Sequence, residues 1–296
     1  MSAVNRYLDP ALVERLNHLS LTARRVVEGT AAGLYRSRLK GASIEFRQHR
    51  AYARGDEIRR LDWRILARTD RPFVKEYDEE VNLRCLMLLD SSGSMDFGDG
   101  SLNKFDYACR LTASLAYLML GQSEAVGLTT MGQKIRQWIP PHVGTRQMSQ
   151  LIDAMEHEEP RDKSSLADCA KEMAERVRRR SFMLIISDFF EPIDAIRTAL
   201  SRLWYSRHEV VCLRILHPQE LEFPFTGWMR LRGKENDRPR LIESAVARER
   251  YQANFREHST QMQRMCASIG MTFYEFVTDR PLADELTRFL RARSLS

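Results

Sequence analysis

Asp90, Ser92 and Ser94 stand at alternate positions in LMLLDSSGSMDFGD, residues 86–99, directly after an apolar run. A solvated turn needs no such run, and a phosphate cradle would call for more glycines and a lysine. Hydroxyl and carboxylate oxygens are hard ligands, suited to Mg²⁺ first and to Mn²⁺ or Ca²⁺ as well, rather than to zinc. Where a chain leaves a strand, alternate residues can face one side, and Gly93 allows a tight turn between them. A second apolar run, in LIISDFF, also ends in an aspartate, Asp188. That carboxylate could complete the shell through water. Ser164 and Ser165 in RDKSSLADCA precede a helical pattern and are placed to supply a third hydroxyl. Thr145 in VGTRQ is the weaker alternative. As turn or cap residues, Ser92, Ser94 and Asp90 would carry no metal. The paired strand ends favour the metal reading.

The elements that would position these groups alternate along the chain. Short, nearly continuous apolar runs at 83–89, 182–187 and 209–216 suit strands buried on both faces. Strands are also expected at 73–81, 125–131, 135–138 and 271–277, with a hairpin at 228–242 whose tip is KENDRP. Helical patterns cover 10–28, 103–121, 146–157, 166–180, 193–205, 244–269 and 281–293. Strand and helix in alternation predict an α/β fold, a mostly parallel central sheet with helices on both faces. Such sheets bind ligands at the carboxyl ends of their strands. Asp90 and Asp188 both lie there.

LLDSSGSM with the later ISDF resembles a von Willebrand factor A-type domain. That resemblance implies a Rossmann-like sheet and a metal-ion-dependent adhesion site. Its D-x-S-x-S corresponds to Asp90, Ser92 and Ser94, its threonine loop to Ser164, and its later aspartate to Asp188. Serine in place of threonine keeps the hydroxyl, and the neighbouring Ser165 leaves that assignment open by one position. Upstream, GASIEFRQHRAYARGDEIRRLDWRILARTDRPFVKEYDEE resembles the signature of the bacterial domain of unknown function 58 family. Members of that family often sit in operons with MoxR-type AAA+ ATPases. The resemblance implies a non-catalytic, metal-dependent protein-binding module, an adaptor or co-factor of such an ATPase chaperone system. A partner would supply an Asp or Glu to the metal. The expected division is an N-terminal α+β extension at 1–80, holding a helix, the arginine-rich signature and edge strands, followed by the von Willebrand A-like domain at 81–296.

Other classes find less support. No G-x-x-x-x-G-K-[ST] loop or G-x-S-x-G elbow is present, and Asp96-Phe97-Gly98 lacks the rest of a kinase signature. A metal-dependent hydrolase or phosphatase using the same carboxylates is the alternative enzyme reading. The five cysteines have no C-x-x-C spacing and read as small buried hydrophobes. His49, His142 and His217 read as surface groups. The net charge is +6, and residues 20–75 hold 14 basic against 6 acidic residues. That excess raises a nucleic-acid or anionic-surface alternative. Interleaving of Arg47, Arg50, Arg59 and Arg68 with Glu45, Asp56, Asp62 and 78–80 favours an internal ion-pair network over it. No stretch nears the ~18 apolar residues of a membrane helix, and the N-terminus has no apolar signal core, so a cytoplasmic protein is expected.

Overall fold

The computed structural model describes residues 4–19, 44–51, 65, 68, 73–79, 83–231 and 240–294. Its centre is a six-stranded sheet of β3 (Arg84–Asp90), β4 (Ala125–Met131), β5 (Ile135–His142), β6 (Phe182–Ser187), β7 (Glu209–Leu216) and β10 (Thr272–Val277). Their order across the sheet is β10-β7-β6-β3-β4-β5. All neighbours run parallel except β5, which returns antiparallel to β4. The short Gly132-Gln133 connection allows only that direction, because a parallel return needs a crossover. The apolar runs of β3, β6 and β7 are buried throughout apart from a residue at the entry of β3 and of β7. Burial on both faces is what helices on both sides of a parallel sheet require.

The helices divide between the two faces. On one lies α3 (Lys104–Leu120), which packs on β3 and β4 and against α4 (Thr145–Glu156). On the other lie α5 (Leu166–Arg176), α6 (Ile193–Tyr205) and α8 (Ser244–Ser268). Their apolar sides meet Leu86, Leu88, Met183, Ile185 and Cys212 from the sheet in one buried cluster. A single-turn helix α1 (Val4–Tyr7) and helical residues 10–19, α2, bring Tyr7, Leu8, Leu12 and Leu16 into the core. Asp9 starts α2 by accepting the Leu12 N–H at 2.8 Å, an N-cap. Tyr117 of α3 donates to Asn17, and Arg15 pairs with Asp284 of α9 (Leu282–Ser294).

Those contacts move a domain boundary. Residues 1–34 form one compact unit with 83–296, and 35–82 form a second. The N-terminal helix therefore belongs with the large sheet, not with the arginine-rich segment as the expected 1–80 division had it. Its four apolar side chains need a partner face, and the unit containing α3 supplies one. In the second unit β1 (Ile44–Ala51) and β2 (Phe73–Glu79) form an antiparallel pair with an irregularity between Phe46 and Gln48. The side chains of the expected ion-pair network lie outside the described residues, Arg68 excepted, which is exposed.

Smaller differences have local causes. α5 stops at Arg176 rather than 180, where the run Arg178–Arg180 offers no apolar face. A short helix not expected from the sequence, α7 (Pro218–Glu222), follows β7. The hairpin β8 (Trp228–Leu231) and β9 (Arg240–Glu243) pairs antiparallel as expected, and its tip lies outside the described residues. All five cysteines are buried. Among the described residues, no helix is long and apolar enough to cross a membrane.

Candidate metal centre

β3 and β6 are adjacent, so the register that pairs Leu89 with Ile186 delivers Asp90 and Ser187 to the same edge. There Ser187 Oγ donates to Asp90 Oδ2 at 2.5 Å. The other oxygen, Oδ1, accepts the Ser92 N–H at 2.8 Å. That bond closes an Asx-type turn and aims the chain back across the sheet end. Ser92 Oγ and Ser94 Oγ then stand 3.1 Å apart, within one hydrogen bond of each other. Asp90 and Ser92 are fully buried. Burial pushes the Asp90 carboxyl up to about 7, and the Asp188 charge adds to the rise; hydrogen bonds from Ser187 and Ser92 oppose it.

The loop 157–165 closes over this turn. Gly93 N–H donates to the Asp162 carbonyl at 2.8 Å, and Arg161 N–H to the Ser91 carbonyl at 3.0 Å. Arg136 of β5 pins both sides, donating to the Ser91 carbonyl, to Glu158 Oε1 and to the Arg161 carbonyl. At the end of the loop the two serines separate. Ser165 is the N-cap of α5, with its hydroxyl on the Asp168 N–H and on Asp168 Oδ2 at 2.7 Å. Ser164 Oγ is buried and, among the described residues, has no hydrogen-bond partner. A buried hydroxyl without a partner costs roughly 1–3 kcal/mol, so such an atom asks for a ligand.

Asp188 is brought to the same edge, where a buried cation holds it. Its Oδ2 accepts from Lys104 Nζ at 2.8 Å, and the same ammonium donates to Glu220 Oε1 at 2.7 Å. Lys104 is fully buried, with Nζ 4.8 Å from the centroid of the Phe190 ring. Burial pulls its pKa down, but the charges of Asp188 and then Glu220 outweigh that and leave it raised. Arg214 of β7, also buried, donates from Nε to the Asp188 carbonyl at 3.1 Å and so fixes the backbone there. Glu191 Oε1 accepts the Leu166 N–H at 2.7 Å and ties this loop to the start of α5.

Lys104, Arg214 and Glu220 were missed from the sequence. Lys104 did leave a signal. It occupies the first position of α3, where a cation opposes the helix dipole, and it opens a helix apolar on several sides. His217 is corrected. It is buried rather than a surface group, because it caps α7 in a reciprocal pair with Glu220 and meets Phe97 edge-on at 5.1 Å. Thr145 begins α4. Among the described residues no group of three or more His, Cys, Asp or Glu could hold a metal by itself.

A family model described as "Protein of unknown function DUF58" matches residues 48–261. The chain belongs to this family. "Uncharacterized protein Rv1480" of Mycobacterium tuberculosis is 28% identical over 290 residues, covering 96% of this chain and 90% of its own length. "Uncharacterized protein MAV169" of Mycobacterium avium is 30% identical over 117 residues, 39% of this chain and 68% of that protein. Similar solved structures include the conserved hypothetical protein BatB from Bacteroides thetaiotaomicron, with TM-score 0.44, 13% identity, and cover of 72% of this chain and all of that one. Another is a von Willebrand factor type A structure from Catenulispora acidiphila, with TM-score 0.42, 10% identity, and cover of 75% and 43%. The DUF58 chain has a von Willebrand factor A-like fold in its own strand order: the D-x-S-x-S strand is central, the sheet is mostly parallel, and one antiparallel strand closes an edge.

Proposed function

We propose that this DUF58 protein is a non-catalytic protein-interaction module that binds a divalent cation, Mg²⁺ foremost, and uses it to hold an acidic residue of a partner. The observation that carries the reading is the buried hydroxyl of Ser164, which has no partner among the described residues and lies in the loop bonded to the turn that sets Ser92 Oγ and Ser94 Oγ side by side. Hydroxyls of Ser92, Ser94 and Ser164 would hold the ion, with Asp90 and Asp188 behind them through water. Ser165 is occupied as a helix cap, which favours Ser164 as the loop ligand. When bound, the cation supplies a positive charge with an open position for a carboxylate. Ligation by charge across an interface is stronger than an exposed ion pair.

The partner class is a MoxR-type AAA+ ATPase, and the setting is the cytoplasm. Two measurements test the reading on the full chain. Isothermal titration with MgCl₂ should show one site in wild type and none in Asp90→Ala. A MoxR-type ATPase from the same genome should bind wild type in Mg²⁺ and lose binding in chelator or with Asp90→Ala. Equal binding in all three conditions would refute the metal-bridged interaction. Magnesium-dependent turnover of a phosphate ester, lost in Asp90→Ala, would replace it with a hydrolase.

A further inference from the structure

Lys104 is the group that this reading leaves unexplained. A lysine ordinarily threads its stem along apolar surface and keeps its ammonium in water. Here the side chain is fully buried and its ammonium lies between Asp188 and Glu220, which leave the sheet edge after different strands. Phe190 covers it from one side, and Phe97 lies 5.7 Å from Nζ. Desolvating an ion pair is costly, and a well-packed apolar residue generally stabilises such a position as well or better. Packing alone therefore gives no reason for a cation at this place.

We propose that Lys104 is a resident second cation of the metal site, one that weakens its hold on the metal and strengthens the bound metal's demand for a carboxylate from outside. The inference rests on the metal reading above and goes beyond it in assigning the balance between metal and partner affinity. The reasoning is a charge count. Asp90 and Asp188 alone would neutralise a divalent ion, and an incoming carboxylate would then meet a site without net charge. With the ammonium on Asp188, that carboxylate is already balanced. The ion keeps net positive charge against Asp90, and an outside anion gains more from binding it. Glu220 shares the same ammonium and returns the net count of the four groups to that of Asp90 and Asp188 alone, so the effect rests on position: the ammonium bonds Asp188 directly and stands between it and Glu220. Removing the Lys104 charge and removing the Glu220 charge must therefore act in opposite directions. A merely structural role would weaken binding in both variants.

The test uses Mn²⁺ as the metal probe and acetate as the carboxylate probe on the full chain. Free Mn²⁺ is read by electron paramagnetic resonance. Acetate binding is read by the fall in water-proton relaxation as it displaces water from bound Mn²⁺. Lys104→Met is expected to bind Mn²⁺ more tightly by about tenfold or more and to bind acetate more weakly by a similar factor. Glu220→Gln, which keeps an acceptor for the His217 N–H, is expected to bind Mn²⁺ more weakly and acetate more tightly. If circular dichroism shows that Lys104→Met does not fold, the direction of change in Glu220→Gln decides. Shifts in the same direction, or no shift from wild type, overturn the role of Lys104. A wild-type chain that binds no Mn²⁺ overturns the metal reading itself.

Discussion

Ser164→Ala should stabilise the metal-free protein and abolish its stabilisation by metal. The hydroxyl that it removes is buried and bonded to no other described residue. Its hydration is lost on folding with no compensating bond, a penalty of about 1–3 kcal/mol. Alanine fits the same backbone and carries no such penalty. In chelator the variant should therefore melt higher, by about 2–4 °C for each kcal/mol recovered. Wild type should gain stability as Mg²⁺ is added, about 2.7 kcal/mol when the free ion is a hundredfold above its Kd. Ser164→Ala should gain little or nothing. Ser165→Ala supplies the contrast, since its hydroxyl caps α5. Losing that cap costs about 1 kcal/mol with or without metal. The assay is differential scanning calorimetry of three proteins in chelator and in a magnesium series. If Ser164→Ala is destabilised in chelator and still gains full stability from Mg²⁺, the hydroxyl is neither unpaired nor a ligand, and the argument fails at its base.

Gly127→Ala should be strongly destabilising, by about 1–3 kcal/mol or more, because a Cβ there would stand 2.6 Å from the Ile139 carbonyl oxygen and 2.8 Å from the Pro141 nitrogen. Chemical denaturation would show a lowered midpoint, and an unchanged one would mean that the β4–β5 pair is loose. Glu124 gives a pH dependence. Burial raises its carboxyl from the ordinary 4.5 to about 7, and among the described residues its Oε2 has no hydrogen-bond partner. Between those values the folded state keeps a proton that the unfolded chain has released, so stability falls as pH rises from about 4.5 to about 7 and then levels off. Glu124→Gln should remove that slope and be more stable at pH 8 by on the order of 1 kcal/mol; melting curves across the range would show a retained slope if the carboxyl titrates normally. Arg136→Ala should loosen the loop over the D-x-S-x-S turn, since one guanidinium joins the Ser91 carbonyl, Glu158 and the Arg161 carbonyl. Amide hydrogen exchange in 157–165 should rise, and no change would place the loop's support elsewhere.

The sheet was legible because its strands are written without ambiguity. LMLL, FMLIIS and EVVCLRIL are nearly continuous apolar runs between helical patterns, and a sheet covered on both faces accommodates several of them. The Asp-x-Ser-x-Ser turn was legible for a related reason: two apolar strands that end in aspartate must present them at one edge if the strands are neighbours. The boundary of the N-terminal extension was not legible. Leu12 and Leu16 announce an amphipathic helix, but an apolar stripe does not say which distant helix will cover it.

By itself the sequence determined the α/β class, the approximate ends of most elements, and the placement of Asp90, Ser92, Ser94 and Asp188 at strand ends. Those features depend on local periodicity, which a chain carries in its own order. Only the tertiary structure told Ser164 and Ser165 apart: Ser165 caps α5, and among the described residues Ser164 Oγ has no hydrogen-bond partner. It alone joined Lys104 to Asp188 and Glu220, which lie 84 and 116 residues away. It also put His217 inside, as the cap of a helix too short to announce itself. Each of these depends on a partner distant in the chain, and local patterns do not encode which partner arrives.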